Sequence, residues 1–199
     1  MQQDSLDEVI AQCWQQLGRG GADAKDPFHT PTLITLGQDG FPAARTVILR
    51  KTIRPERVLV CHSDWRATKI AELQADARIT WHLWHPKLRV QLRLHGEATL
   101  HHQDEVAQAE WTNTSPGSRL NYGATRPPGE AVASLAEALS AHTTYNQLDQ
   151  VDTEAWWPHF CVIRSHIHTL EYLLLAQDGH RRARFTWQEG RWQGQWLVA

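Results

Sequence analysis

The stretch LRVQLRLHGEATL at 88–100 constrains this chain more than any other. Leu88, Val90, Leu92 and Leu94 alternate with Arg89, Gln91, Arg93 and His95. A period of two puts successive side chains on opposite faces of a strand, so one face is apolar and the other polar. Such a strand needs a partner on each side and a core under one face, which predicts a half-buried antiparallel sheet. RITWHLWH at 78–85 repeats the pattern, with Ile79, Trp81 and Leu83 set against Thr80, His82 and Trp84. HPK at 85–87 joins the two as a hairpin.

Further extended runs follow the same logic. TLITLG (32–37) and AARTVILRK (43–51) flank the turn signal QDGFP, and RVLVCHS (57–63) reads as a third strand. The C-terminal part returns to β at 159–175, 181–190 and 191–199, with QEGR (188–191) as the last hairpin turn. Helical spacing is found at 4–17, with Asp4 or Ser5 as cap and Gly18 as stop, in a short helix within 63–73 whose apolar side is Ile70 and Leu73, and in stretches near 103–111 and 130–147. The polar loop 112–130 is long for a compact domain, a length usually found where loops carry function. No internal repeat or linker divides the chain, so the expectation is a single α+β domain over 1–199, built on an antiparallel barrel or sandwich.

Composition narrows the function classes. A formal net charge of −2 and a pI near 6.6 give no electrostatic reason to expect nucleic acid or an anionic membrane surface. No apolar run reaches the length of a membrane span and no secretory leader opens the chain, so a cytoplasmic protein is expected. Cys13, Cys61 and Cys161 are odd in number and widely spaced, which suits packed, reduced thiols. The chain holds ten tryptophans and twelve histidines. Trp is read as core or interface filling, and no His spacing makes a convincing metal set, so no metal site is expected.

SDWRATKIAEL (63–73) poses a different question. Asp64 stands as a cap before Arg66, Thr68 and Lys69, placing cations where a helix start is already positive. Arg45 and Arg50 bracket TVIL, and Gln91 and Arg93 share the polar side of the later strand. Guanidinium and ammonium groups beside free helix amides suit a phosphate monoester, and the Gln91 amide suits the edge of a planar heterocycle. The bland alternative is a solvated helix face and the outer side of a half-exposed sheet.

The order RTVILRK (45–51), SDWRATKIAEL (63–73), WHLWHPKLRVQLRLHGEAT (81–99), SPGSRL (115–120) and ARFTWQEGRWQGQWL (183–197) resembles the pyridoxamine 5′-phosphate oxidase family, and within it the related flavin-binding branch. The resemblance implies an FMN-binding split β-barrel of Greek-key type with a few packing helices, and a homodimer with flavin at the interface. It assigns Arg45, the Thr46–Val47–Ile48–Leu49 backbone, Arg50, Ser63, Arg66, Thr68, Lys69, Gln91 and Arg184 to the cofactor. Arg50, Ser118 and Arg119 become substrate-side candidates, with no catalytic residue assigned.

Departures from the family pattern concentrate on the substrate. Ala67-Thr68 stand where the family's oxidase has Ser-Arg, and Glu110 and Thr114 fall near its substrate-gripping Tyr and Arg. His180-Arg181-Arg182 replaces a substrate-holding Arg-x-His, and Leu173 replaces an aromatic flavin contact. The leading expectation is an FMN-dependent oxidoreductase acting on a small molecule. The alternatives are a true pyridoxamine 5′-phosphate oxidase with a rearranged grip through Arg119 and Arg182, and a non-catalytic flavin- or haem-binding carrier or sensor.

Overall fold

A computed structural model describes residues 5–140 and 142–199; Asp4, one of the two expected cap residues, lies outside them. The first helix, α1, spans Leu6–Ala22. Ser5 caps it by accepting from the Glu8 amide while the Glu8 carboxylate accepts from the Ser5 amide. The helix runs straight through Gly18, four residues past the expected stop. It continues because Val9, Ile10, Cys13, Trp14 and Leu17 bury one stripe against the sheet and Gly20 presses on Phe28, so tertiary packing outweighs the weak helix propensity of glycine.

The strands are β1 (Thr32–Leu36), β2 (Pro42–Thr46), β3 (Lys51–Ile53), β4 (Val58–Asp64), β5 (Arg78–His85), β6 (Val90–His101), β7 (Phe160–Leu174), β8 (Arg181–Gln188) and β9 (Arg191–Leu197). Helix α2 (Thr68–Ala75) follows β4; α3 (Glu105–Thr112), α4 (Pro116–Arg119) and α5 (Leu135–Ser140) lie between β6 and β7. All pairings are antiparallel, in the order β2-β1-β5-β6-β7-β4-β3, with β8 and β9 branching from β7. This is an open, split barrel: among the described residues no ladder joins β2 to β3.

The split is visible along β7. Its first half pairs with β4 up to Val58↔His166, and its second half pairs with β8 from Thr169↔Thr186. At the fork Arg57, with a left-handed φ of 57°, receives a hydrogen bond from the Ile167 amide and lays its guanidinium over Trp187 at 4.0 Å. On the other edge of β7, Gly96 lets β6 approach at a register shift. A Cβ there would lie 2.1 Å from the His166 carbonyl oxygen.

Two expectations on the chain path need correction. The run 43–51 is not one strand: after Thr46 the backbone leaves β1, and Val47 and Leu49 donate to the carbonyls of Pro31 and His29 before Arg50 donates to Val60. The segment therefore crosses from one sheet edge to the other, because its apolar Leu49 is buried inside the barrel. The helix expected near 130–147 is replaced by the short α5 and a 3₁₀ turn, Tyr145–Gln150, whose apolar residues Leu135, Leu139 and Tyr145 stay exposed. Without a buried stripe, a longer helix has little to hold it.

The main core fills the barrel with Trp81, Leu83, Leu92, Leu94, Ile163, Ile167 and Leu170 and takes in the buried stripe of α1. A second cluster lies on the other face of β4 and β7, where Val58, Val60, Phe160 and Val162 meet Trp111 and Tyr122 from the β6–β7 excursion. Cys13, Cys61 and Cys161 are free and buried, with burial pushing each thiol up to about 12, so they pack as small apolar groups. Among the described residues no helix is long and apolar enough to cross a membrane, and no group of three His, Cys, Asp or Glu side chains is placed to hold a metal.

Candidate functional site

The turn between β4 and α2 carries the cations singled out from the sequence, but the structure gives them separate tasks. Asp64 is the last residue of β4, not the cap of α2; the cap position belongs to Ala67, and no side chain caps the first turn. Asp64 is buried and accepts from the Arg66 backbone amide at 2.8 Å and from its guanidinium at 3.0 and 2.7 Å. A carboxylate buried that deep needs an ionic partner, and Arg66, two residues on, draws it from the helix end. Arg66 also donates to the Ala124 carbonyl at 2.9 Å, tying this turn to the β6–β7 excursion.

Lys69 is different. Its ammonium donates to the Ser63 hydroxyl at 3.0 Å and has no carboxylate within ion-pair distance among the described residues. Burial first, and then the positive charge of Arg45, lower its proton affinity. Arg50 likewise has no carboxylate or hydrogen-bond partner for its guanidinium among the described residues. Both line one cavity of about 280 Å³, together with Thr46, Val47, Ile48, Ser63, Asp64 and Ala67 from the crossing segment and the β4–α2 turn. His62, Asn121, Tyr122 and Pro128 complete the wall.

Several predicted site residues fall elsewhere. Arg45 extends from β2 onto Glu72 of α2, at 2.7 Å, and onto Thr35, whose hydroxyl donates to the same carboxylate at 2.5 Å. Leu49 faces the main core, and Thr68 is exposed beside the cavity rather than lining it. Ser118 accepts from Ser115 within the cap of α4. Arg119 is used up structurally: it donates to the carbonyls of Thr114 and Trp111, pairs with Glu154 and lies over the Trp111 ring at 4.3 Å.

Gln91 and Arg184 belong to a second patch, on the outer face of the sheet. The register Arg93↔Glu171↔Arg184 puts three side chains in one row, and Gln91↔Leu173↔Arg182 forms the next. Arg93, Arg182 and Arg184 converge on Glu171 at 2.5, 3.1 and 2.7 Å. Burial alone would raise the Glu171 carboxyl, but Arg184, Arg182 and Arg93 overcome it and hold it at about 2. Three cations on one carboxylate leave this half-exposed patch with net positive charge. Neither Gln91 nor Arg184 lines the cavity that holds Lys69, so within one chain the expected cofactor residues form two patches.

Sequence reasoning passed over Glu72 and Glu171, the carboxylates that claim Arg45 and Arg184, since burial of an acid leaves no local trace in sequence. It also passed over Asn121 and Tyr122, although they sit in the loop whose length marked it as functional.

Comparison with known proteins fits this geometry. Residues 9–102 match the family model for the pyridoxamine 5′-phosphate oxidase FMN-binding domain, a span that holds Arg50, His62, Ser63, Lys69 and Gln91. The matched span, a little under half of the chain, is thus similar to the FMN-binding domain of that family. FMN is the cofactor of the matched domain, and two unneutralised cations with a hydroxyl near an uncapped helix start fit its phosphate monoester. A pyridoxine/pyridoxamine 5′-phosphate oxidase of Thermosynechococcus vestitus is 33% identical over 131 residues, 61% of this chain and 58% of that protein. The chain thus aligns with little more than half the length of that relative. Two solved structures share the fold over all of this chain. A pyridoxamine 5′-phosphate oxidase-related, FMN binding protein from Nostoc punctiforme is 21% identical with a TM-score of 0.72 over 100% of its chain. PhzG from Burkholderia lata, solved with tetrahydrophenazine-1-carboxylic acid, is 18% identical with a TM-score of 0.70 over 95% of its chain.

Proposed function

We propose that this protein is an FMN-dependent oxidoreductase acting on a small molecule, with the flavin phosphate held by Lys69, Arg50 and Ser63. The observation that carries the reading is the pair of unneutralised cations in one cavity, both within the span that matches an FMN-binding domain. Bound flavin supplies the two-electron chemistry, and the protein binds it and shapes access. Asn121, Tyr122 and Pro128 wall the cavity from the excursion side and narrow what enters beside the flavin.

The second patch supports a homodimer. Gln91 and Arg184 sit on an outer sheet face beside Trp84, which is 40% exposed, and a second copy brings such a face to the cavity of the first. A dimer of this kind reunites cofactor residues that one chain keeps apart.

Purification without added cofactor, followed by an absorbance spectrum, mass spectrometry of the released compound and FMN titration, tests the proposal. Flavin bands and released FMN are expected; absence of flavin both as purified and after titration removes it. Turnover of pyridoxamine 5′-phosphate under oxygen is expected to be negligible, because Arg119 is committed to Glu154 and Trp111 and Glu110 stands near the expected Tyr position.

A further inference from the structure

His62 is the least explained residue of the cavity wall. It lies on β4, its side chain is 8% exposed, and its Nε2 is buried without a hydrogen bond. Phe160 meets the ring edge-on at 4.9 Å. Glu110 of α3 holds a carboxylate oxygen 3.6 Å from that Nε2, too long for a formed hydrogen bond and close enough to become one with a small shift. The other Glu110 oxygen accepts from Lys51 at 3.2 Å. A ring placed only for packing leaves a buried polar atom unsatisfied for no return, which a phenyl or leucyl group avoids.

We propose that His62 exchanges a proton with the molecule oxidised in this cavity, and that Glu110 is the positioning residue that orients the ring and stabilises its charged form. The inference rests on the flavin reading above. The substrate class is then a compound whose reacting C–H adjoins an O–H or N–H. Bound flavin would supply the two-electron oxidant that accepts the C–H hydrogen with its electron pair, while His62 would take the O–H or N–H proton as a C=O or C=N bond forms. The imidazolium afterwards returns the proton to solvent. Glu110 does not take that proton: the His62 ring, and then Lys51, hold its carboxyl at about 2, so it stays ionised, as the carboxylate of an acid–base triad does. The other charged or titratable groups that line the same cavity among the described residues are Arg50, Asp64, Lys69 and Tyr122.

The test uses the full chain loaded with FMN and labelled with ¹⁵N at histidine, the His62 signal being the one missing in His62→Gln. The ring should respond to FMN addition, and its ¹⁵N pattern, which reports which ring nitrogen carries the proton, should change in Glu110→Gln, with partial recovery in Glu110→Asp. FMN affinity should stay within about twofold of wild type in both Glu110 variants. Bound FMN with a His62 signal indifferent to FMN and to Glu110→Gln overturns this inference alone. Failure of wild type to bind FMN removes the flavin reading beneath it.

Discussion

Arg66 and Lys69 stand three residues apart and differ wholly in what neutralises them. Arg66 belongs to Asp64, and Lys69 faces the cavity. Lys69→Ala is therefore expected to weaken FMN binding at least tenfold, since a charge-assisted contact contributes about 1.5–3 kcal/mol, while leaving thermal stability nearly unchanged. Arg45→Ala should do the opposite. It strands the Glu72 carboxylate, 5% exposed, and is expected to cost about 3 kcal/mol of stability in denaturant unfolding, with any loss of FMN affinity secondary. Equal affinity losses with unchanged stability would show that Arg45 binds the phosphate directly. Glu171 carries the pH dependence of the outer patch. Its folded value near 2 lies below the ordinary 4.5, so its contribution to stability is present above about pH 4.5 and is lost as pH falls towards 2. Thermal melts across that window should show a steeper loss for wild type than for Glu171→Gln.

At the level of elements, two of the three glycines of α1 make a matched pair. A Cβ at Gly18 meets nothing within 4 Å, so Gly18→Ala should stabilise by about 0.5–1 kcal/mol. A Cβ at Gly20 would come 2.8 Å from the Phe28 Cβ, and Gly20→Ala should destabilise despite the better helix former. Chemical denaturation of both variants reads the contrast directly. Gly96→Ala should be worse than either, because the backbone of β7, not a flexible side chain, occupies the space. The alternating β5 and β6 were legible because one buried face imposes its period on the sequence. The break of 43–51 into β2, a crossing segment and β3 was not, since VIL is as apolar in a crossing buried in the barrel as in a strand. The helix near 130–147 misled for the converse reason: propensity without a buried face gives only short turns.

For the whole molecule, the proposed division of cofactor residues between two patches makes dimerisation the property to test. Sedimentation at two concentrations is expected to give a dimer, and Trp84→Arg on the outer sheet face should shift it towards monomer and weaken FMN binding together. Loss of the dimer with FMN binding intact would separate the patches functionally. The sequence by itself determined the alternating strands, the hairpin order, the cations at the start of α2 and, through motif order, the resemblance to a flavin-binding family. Those features are local or collinear, and a linear string carries them. Only the tertiary structure decided which cations remain unneutralised. Glu72, Asp64 and Glu171 claim Arg45, Arg66 and Arg184 through contacts 27, 2 and 13 residues apart, leaving Lys69 and Arg50 to face the cavity with His62 beside them. Charge pairing in a buried site depends on distance in space and on desolvation, and neither is written in the spacing of residues.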